Sequence, residues 1–278
     1  MSIAGSEPFV VRGVIPHEPR REPGESRVAT VLDEGVGGAR LGCLQVVDAG
    51  PDAVIGLDPV GETGLVVLAG TVLAGSASGG RIVANPYDVV FYPRGLPVSA
   101  AAGQSGAVVV ATTAYGQDSD AGSSAPSGPI LRRRADEIAT QRLGGLPPEY
   151  GLRDAGDHWY VTGDVGSRRL QVRITRFRPH GGHFGLHRHR SAEEYFLVLT
   201  GGGRQLHPDG DGPAELAVRP GDVVFTPVGD EHGWANDGAD TLALAGWWGA
   251  HDPESSGYEQ TLPHHEVAAP AAQRQVER

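Results

Sequence analysis

The stretches Gly181–Gly201 (GGHFGLHRHRSAEEYFLVLTG) and Gly221–Asn236 (GDVVFTPVGDEHGWAN) decide the fold of this chain. The first carries two histidines two positions apart, and side chains two apart on a β-strand point to the same face. A glutamate opens the apolar run that follows, and a third histidine comes after a second turn rich in glycine and proline. Three neutral imidazoles and one carboxylate suit a divalent transition metal, with Mn, Fe, Zn and Ni as candidates. The pattern predicts a metal site formed by His187, His189, Glu194 and His232.

The two stretches resemble the two motifs of the cupin superfamily at every fixed position. The first matches as Gly181-x5-His187-x-His189-x4-Glu194-x6-Gly201, and the second as Gly221-x5-Pro227-x-Gly229-x2-His232-x3-Asn236. The resemblance implies a small antiparallel barrel of the jelly-roll, or double-stranded β-helix, type in which the same four side chains hold the metal. Glu193 stands beside Glu194, and the six residues between Glu194 and Gly201 favour Glu194 as the ligand.

The N-terminal half is a degenerate repeat of the C-terminal half. Residues 86–95 align with residues 220–229 at an offset of 134, where Pro, Asp, Val, Val, Phe, Pro and Gly coincide. Residues 62–70 align with residues 193–201 at an offset of 131. An internal repeat of this size indicates two copies of one fold. We therefore expect an all-β chain of two tandem cupin barrels, the first of them degenerate.

The first copy has lost the residues that would bind a metal. The positions equivalent to His187, His189, Glu194 and His232 hold Gly56, Asp58, Thr63 and Val98. One possible oxygen ligand does not make a transition-metal site. We expect a metal-free first barrel that packs against the second barrel or supplies a dimer surface.

The composition divides the chain into five segments. Residues 1–27 read as an extended arm, 28–115 as the degenerate barrel, 116–149 as a linker, 150–250 as the metal-binding barrel and 251–278 as a polar tail. Within the linker, Asp136–Leu143 reads as a short helix that ends at two glycines. His264 and His265 in the tail read as a solvated pair, with a second metal site as the alternative.

Charge and composition exclude several classes of function. The net charge of −11 argues against a nucleic-acid partner, since that affinity depends on basic side chains. No apolar run approaches the length of a membrane span, and the single Cys43 cannot form an internal disulfide, so a cytoplasmic location is expected. The chain has no lysine, which excludes catalysis through a lysine Schiff base. A homodimer through barrel edges is expected, because it would cover exposed strands.

Two further residues are candidates for a catalytic role. Arg176 continues the face of Leu170, Val172 and Ile174 along one strand. If that face lines the barrel, Arg176 points toward the metal and binds a carboxylate or phosphate; if the strand has left the core, Arg176 lies in water. His183 precedes His187 by four residues and is either a proton carrier or a solvated loop histidine.

The ligand set predicts an enzyme that acts on a small oxygenated, anionic metabolite chelated by the metal. We expect an isomerase or epimerase of a sugar-acid-like compound. The layout of one ligand-free and one metal-bearing barrel is similar to that of 5-deoxyglucuronate and 5-keto-4-deoxyuronate isomerases. One alternative is an iron dioxygenase that cleaves a diketone, a 2-oxo acid or an aromatic substrate. The other is a non-catalytic barrel that binds a small molecule.

Overall fold

The structure is a computed structural model, and the part of the chain that it describes is almost entirely β-structure. It describes residues 9–12, 21–33, 39, 42–57, 60–76, 80–96, 98–115, 130–134, 137, 141–142, 152–153, 155–209, 212–249 and 256–261. The strands of the first half are β1 (Phe9–Val11), β2 (Ser26–Leu32), β3 (Gly42–Ala49), β4 (Val54–Ile55), β5 (Glu62–Ser76), β6 (Arg81–Ala84), β7 (Val89–Tyr92), β8 (Val98–Ala114) and β9 (Leu131–Arg133).

The second half has twelve strands in its described residues, with one 3-10 turn at Gly163–Val165 between the third and the fourth. They are β10 (Gln141–Arg142), β11 (Leu152–Arg153), β12 (Ala155–Val161), β13 (Gln171–Phe177), β14 (Gly182–His189), β15 (Glu194–Thr200), β16 (Gly203–Asp209), β17 (Gly212–Val218), β18 (Val223–Thr226), β19 (His232–Asn236), β20 (Leu242–Trp248) and β21 (Tyr258–Gln260).

These strands form two tandem barrels, which confirms the predicted fold class. The first barrel is one sheet in the order β2-β3-β8-β5-β7-β9, with β4 and β6 beside the long strands β8 and β5. The second consists of two sheets in the orders β1-β18-β15-β20-β13-β12-β10 and β11-β14-β19-β16-β17, with β21 beside β14. The pair β15 and β16 corresponds to the single long strand β5, and β19 and β20 correspond to β8.

One glycine in each barrel marks this correspondence. Gly70 interrupts the register of β5 with a φ of +72°, and Gly201 lies between β15 and β16 with a φ of +69°. A Cβ atom would lie 2.0 Å from the Gly106 carbonyl oxygen at Gly70, and 2.4 Å from the Thr241 carbonyl oxygen at Gly201. Only glycine fits this backbone conformation and this close approach. The two positions differ by 131 residues, the offset found in the sequence.

The chain exchanges short strands between the barrels. β1 precedes the first barrel but pairs with β18 of the second, with Phe9 opposite Phe225. β9 precedes the second barrel but pairs with β7 of the first, with Leu131 opposite Phe91. Arg12, just after β1, donates to the buried Asp222 carboxylate at 2.7 Å and fixes the first exchange.

A shared apolar core joins the barrels face to face. Val46 and Val110 of the first barrel belong to one buried cluster with Val172, Ile174 and Trp247 of the second. The buried Glu62 carboxylate adds a polar contact, because it accepts the Ser167 hydroxyl at 2.7 Å and the backbone N–H groups of residues 168 and 169 at 2.9–3.1 Å. Burial of both faces of the connecting sheet makes the pair of barrels one packed unit.

Two predicted segments differ from the structure. Gln141–Arg142 form β10, paired with Asp157 and Gly156 of β12, where the end of a helix was predicted. A two-residue strand whose partners lie about fifteen residues away cannot be recognised from the pattern of the neighbouring sequence. Within the predicted polar tail, β21 pairs with β14. Residues 116–129 of the predicted linker, together with Asp58, His264 and His265, lie outside the described residues. In the described part of the chain, no helix is long and apolar enough to cross a membrane.

Candidate metal centre

Four buried side chains converge inside the second barrel. β14 places His187 and His189 on one face, β15 begins with Glu194, and β19 begins with His232 directly opposite His187. Their ligand atoms all lie within 4.8 Å of one another, and each residue is at most 2% exposed. These are the four residues that the sequence predicted, and a single ion at the centre of the group is within reach of all of them.

Each imidazole is held by a hydrogen bond at Nδ1. His187 and His232 donate from Nδ1 to the carbonyl oxygens of Gly185 at 3.0 Å and Asp230 at 3.2 Å. A carbonyl oxygen accepts only, so the proton of a neutral ring is on Nδ1 and the lone pair is on Nε2. His189 Nδ1 lies 2.9 Å from the Ser256 hydroxyl oxygen. The three Nε2 atoms thus point into the group, where those of His232 and His189 lie against the Glu194 carboxylate, in the arrangement that orients histidine ligands in known metal sites.

The electrostatics favour neutral rings at His187 and His189 and an ionised carboxylate at Glu194. Burial is the main cause that lowers the pKa of His187 well below its usual value, with His232 and His189 adding to it, and burial also lowers the pKa of His189. Burial acts to raise the pKa of Glu194, but attraction from His232 and His189 outweighs it and holds that pKa well below its usual range. The Nε2 atom of His187 has no hydrogen-bond partner among the described residues. These residues fit a divalent transition metal.

Arg173 of β13 is a neighbour of this centre that the sequence reasoning missed. Its guanidinium donates to Glu194 Oε1 at 3.0 Å and to Asp157 Oδ2 at 3.3 Å, with all three side chains at most 5% exposed. The same guanidinium lies 5.3 Å from the centre of the Trp159 ring and 5.4 Å from that of Phe196. Burial raises the pKa of Asp157, against the attraction of Arg173. Arg173 therefore holds the carboxylate ligand in place.

Arg176 lies on the opposite face of β13 from the metal centre. Val172 and Ile174, which share its face, pack against the first barrel, so the alternative in which this face lines the second barrel does not hold. Arg176 instead donates to His158 Nδ1 at 2.8 Å. The interior face consists of the alternate residues of the strand, including Arg173. Both faces of β13 are buried, and a pattern of alternation alone does not tell which face is inside.

His183 also points away from the centre, although it is buried rather than solvated. The adjacent Phe184 stacks on the His187 ring at 4.0 Å between ring centres, so Phe184 faces the interior. Neighbours on a strand point to opposite faces. His183 is 4% exposed, and its Nδ1 donates to the Gly181 carbonyl oxygen at 3.2 Å. A register shift between Phe184 and His187 puts both on one face despite their odd spacing.

The segment Ser256–Thr261, predicted as tail, contributes to the centre. Ser256 is fully buried beside His189. The Tyr258 ring lies 5.1 Å from the His187 ring and 5.7 Å from the His189 ring. Glu259 fixes the strand by ion pairs with Arg188 and Arg190 of β14 and the turn that follows it. This strand therefore forms one wall of the site.

Other nearby residues have structural contacts. Glu193 accepts a hydrogen bond from the Tyr195 hydroxyl at 2.6 Å and is not part of the four-residue group. Asn236 donates to the carbonyl oxygens of Phe177, Arg178 and Asp240 and accepts from the Gly238 N–H, so it holds a turn. In the first barrel, Thr63 takes the place of Glu194 and its hydroxyl lies 3.0 Å from that of Thr113.

Comparison with known proteins agrees with this geometry. Residues 173–246, which include all four residues of the centre, match the family model described as "Cupin domain". This segment is therefore similar to cupin domains. No curated protein sequence matches the chain.

Solved structures resemble both barrels together. The putative glyoxylate induced protein from Pseudomonas aeruginosa is 16% identical over 89% of this chain and 90% of its own, with a TM-score of 0.67. Lactobacillus farciminis oxalate decarboxylase, solved as a formate complex, is 14% identical over 100% and 94%, with a TM-score of 0.65. Bacillus subtilis oxalate decarboxylase, studied for its Mn(II) centres, is 15% identical over 100% and 88%, with a TM-score of 0.61. At these identities the likeness shows the fold alone.

Proposed function

We propose that this chain is a metal-dependent enzyme whose second barrel binds a small oxygenated, anionic metabolite directly on a divalent ion. The observation that carries the proposal is the buried convergence of His187, His189, Glu194 and His232, with every imidazole oriented by a partner at Nδ1. Burying polar side chains costs free energy unless they form bonds. The packing of a barrel core alone therefore does not account for four buried polar side chains that converge on one point.

The charges around the site support an anionic substrate. Arg173 is the cation that faces Glu194 and Asp157, so the three side chains together carry one net negative charge when both carboxyls are ionised. A divalent ion reverses that balance and leaves the interior positive. A buried positive site favours a carboxylate or an enolate.

The ligand number supports chelation. Four protein ligands on an ion that accepts six leave two positions, which suit two oxygens of one small molecule. A bound divalent ion supplies Lewis-acid chemistry to such oxygens. The protein's part is to orient the ligands and to hold Glu194 through Arg173.

The finer reaction class is an isomerisation or epimerisation of a sugar-acid-like substrate. His183 faces away from the centre, so the proton carrier of such a reaction would be another group than His183. The second candidate is an iron-dependent dioxygenase. It is favoured by the apolar, aromatic cluster that fills the barrel beside the polar site and includes Phe177, Phe184, Phe196 and Trp234. Several fold neighbours are named for oxalate or glyoxylate, which fits a small acid as ligand.

Elemental analysis of protein purified without added metal tests the proposal. We expect close to one Mn, Fe, Zn or Ni per chain, its loss in His187→Ala and His232→Ala, and its retention in His207→Ala, a histidine of β16 outside the four-residue group. Full metal content in both ligand variants would refute the ligand assignment. A metal-free protein would leave the non-catalytic binding barrel as the better hypothesis.

Turnover assays separate the reaction classes. Oxygen uptake and carbon dioxide release are measured against a panel of 2-oxo acids, diketones and catechols, and isomerisation against uronates and ketoses. Iron with oxygen consumption would select the dioxygenase, and another metal with no oxygen use would select the isomerase. A homodimer in the cytoplasm stays a prediction, and light scattering on the metal-loaded protein measures its subunit number.

A further inference from the structure

Gln171, the first residue of β13, has a buried side-chain amide that forms no hydrogen bond with the described residues. It is 1% exposed, and neither its Nε2 nor its Oε1 has a hydrogen-bond partner among the described residues. Almost all buried polar side-chain atoms in folded proteins have a partner. A carboxamide that lacks partners at both ends is therefore a position where a ligand is expected to complete the bonding.

The strand register directs this amide into the metal-bearing barrel. Gln171 lies opposite Trp248 of β20, which lies opposite Glu194 of β15. Directly paired residues share a face, so Gln171 and the proposed ligand Glu194 both point inward. Two strand spacings separate their backbones, or about 10 Å. Its chain neighbours Leu170 and Val172 point the other way, into the core between the barrels.

Gln171 is also on the same face as Arg173, two positions further along β13. The side chains of Gln171 and Glu194 extend into the same interior from backbones about 10 Å apart. A substrate chelated at one end would meet Gln171 at the other. Arg173 is already paired with Glu194 and Asp157. Gln171 is therefore better placed than Arg173 to form hydrogen bonds with the end of the substrate that is not bound to the ion.

We propose that Gln171 is a specificity-determining residue that selects small carboxylates bearing an N–H or O–H donor next to an acceptor oxygen. The inference rests on the proposed function of the metal centre and adds the chemistry of the substrate. The Gln171 amide offers one acceptor and two donors, whichever way it is oriented. Oxalate at neutral pH has acceptors only and leaves Oε1 without a bond. An amide or hydroxyl group satisfies both Oε1 and Nε2.

The test compares two probes that differ by one group. Dissociation constants of oxalate and oxamate, in which an amide replaces one carboxylate, are measured calorimetrically on the Mn²⁺-loaded full-length protein. The readout is the ratio of the oxalate constant to the oxamate constant, because each variant's effects on metal site and fold cancel in that ratio.

Gln171→Met keeps the size of the side chain and removes its bonding groups. Oxamate then loses one more hydrogen bond than oxalate, and the ratio falls about fivefold. Gln171→Glu keeps an acceptor for the oxamate N–H but repels the second carboxylate of oxalate, so the ratio rises. Gln45→Leu, at a half-buried glutamine of the first barrel that bonds to Thr30, is the matched control and leaves the ratio unchanged.

Opposite shifts in the two Gln171 variants would support the assignment, since a purely structural role moves both probes equally. A ratio that stays constant in both variants, with both probes still bound, would overturn the role of Gln171 and leave the proposed function intact. If neither probe binds the Mn²⁺-loaded wild type, the proposed anion site is refuted, and the role of Gln171 with it.

Discussion

Ser256 lies outside both sequence motifs, yet Ser256→Ala should weaken metal binding about tenfold. The hydroxyl lies 2.9 Å from His189 Nδ1, and both residues are at most 2% exposed. For Nε2 of His189 to face a metal, Nδ1–H must donate, and Ser256 is the acceptor that holds the ring in this state. Alanine removes that acceptor and leaves a buried N–H whose bond is not replaced.

Two independent magnitudes lie on either side of the predicted tenfold loss of metal affinity. Loss of a hydrogen-bond partner behind a metal-bound histidine typically reduces metal affinity 10- to 100-fold. The net value of one neutral hydrogen bond, about 1 kcal/mol, corresponds to roughly fivefold. Because three other ligands remain in place, the lower end applies, and a tenfold loss corresponds to about 1.4 kcal/mol.

The assay is a competition titration of the metal-free protein with Zn²⁺ or Mn²⁺ against a chromophoric chelator. Ser191→Ala is the matched control, because Ser191 is exposed and its contact with residue 256 is made by its backbone N–H. We expect wild-type affinity in the control. An affinity of Ser256→Ala within twofold of the wild type would refute the reasoning, and equal losses in both variants would assign the effect to the turn instead of the hydroxyl.

Two further predictions concern charge inside the second barrel. Arg173→Met leaves two buried carboxylates without their cation and should cost about 3–5 kcal/mol of unfolding free energy, measured by denaturant titration. Arg176→Met, on the other face, should leave ligand binding unchanged, measured by calorimetry. Equal effects of the two variants on unfolding and on binding would contradict the assignment of faces. Burial lowers the pKa of His187 and His189 from 6.5, so the unfolded chain takes up protons first and the metal-free protein should lose stability as the pH falls below about 6.5. His187→Phe should flatten the dependence of the melting temperature on pH between 6.5 and 5, and an unchanged slope would show that His187 does not cause it.

The repeat and the four converging residues were predictable because their signals are local. His187 and His189 share a strand face by their spacing, and Glu194 and His232 open the strands β15 and β19. Gly70 and Gly201 have one conformational role in the two halves, which the 131-residue offset in the sequence already indicated. Features of this kind need no knowledge of which elements become neighbours.

The orientation of β13 was not predictable in the same way. Its apolar residues pack against the first barrel, while its polar residues Gln171, Arg173 and Thr175 face the interior. Alternation distinguishes the two faces, but the usual assumption that the apolar face is the interior fails where two barrels pack together. Ser256 escaped notice for a related reason. Its segment is short and polar, and pairing with β14 is what makes it structural.

The exchange of strands between the barrels has a consequence for synthesis. β1 leaves the ribosome well before its partner β18 is made, since Arg12 and Asp222 are 210 positions apart. At ordinary rates of translation that interval is roughly 10 to 40 s. During this time the N-terminal strand has an unpaired backbone, while β7 of the first barrel waits a far shorter time for β9. The first barrel can therefore close as its own chain emerges, whereas the β18 edge of the second is completed by a segment that was made before the first barrel.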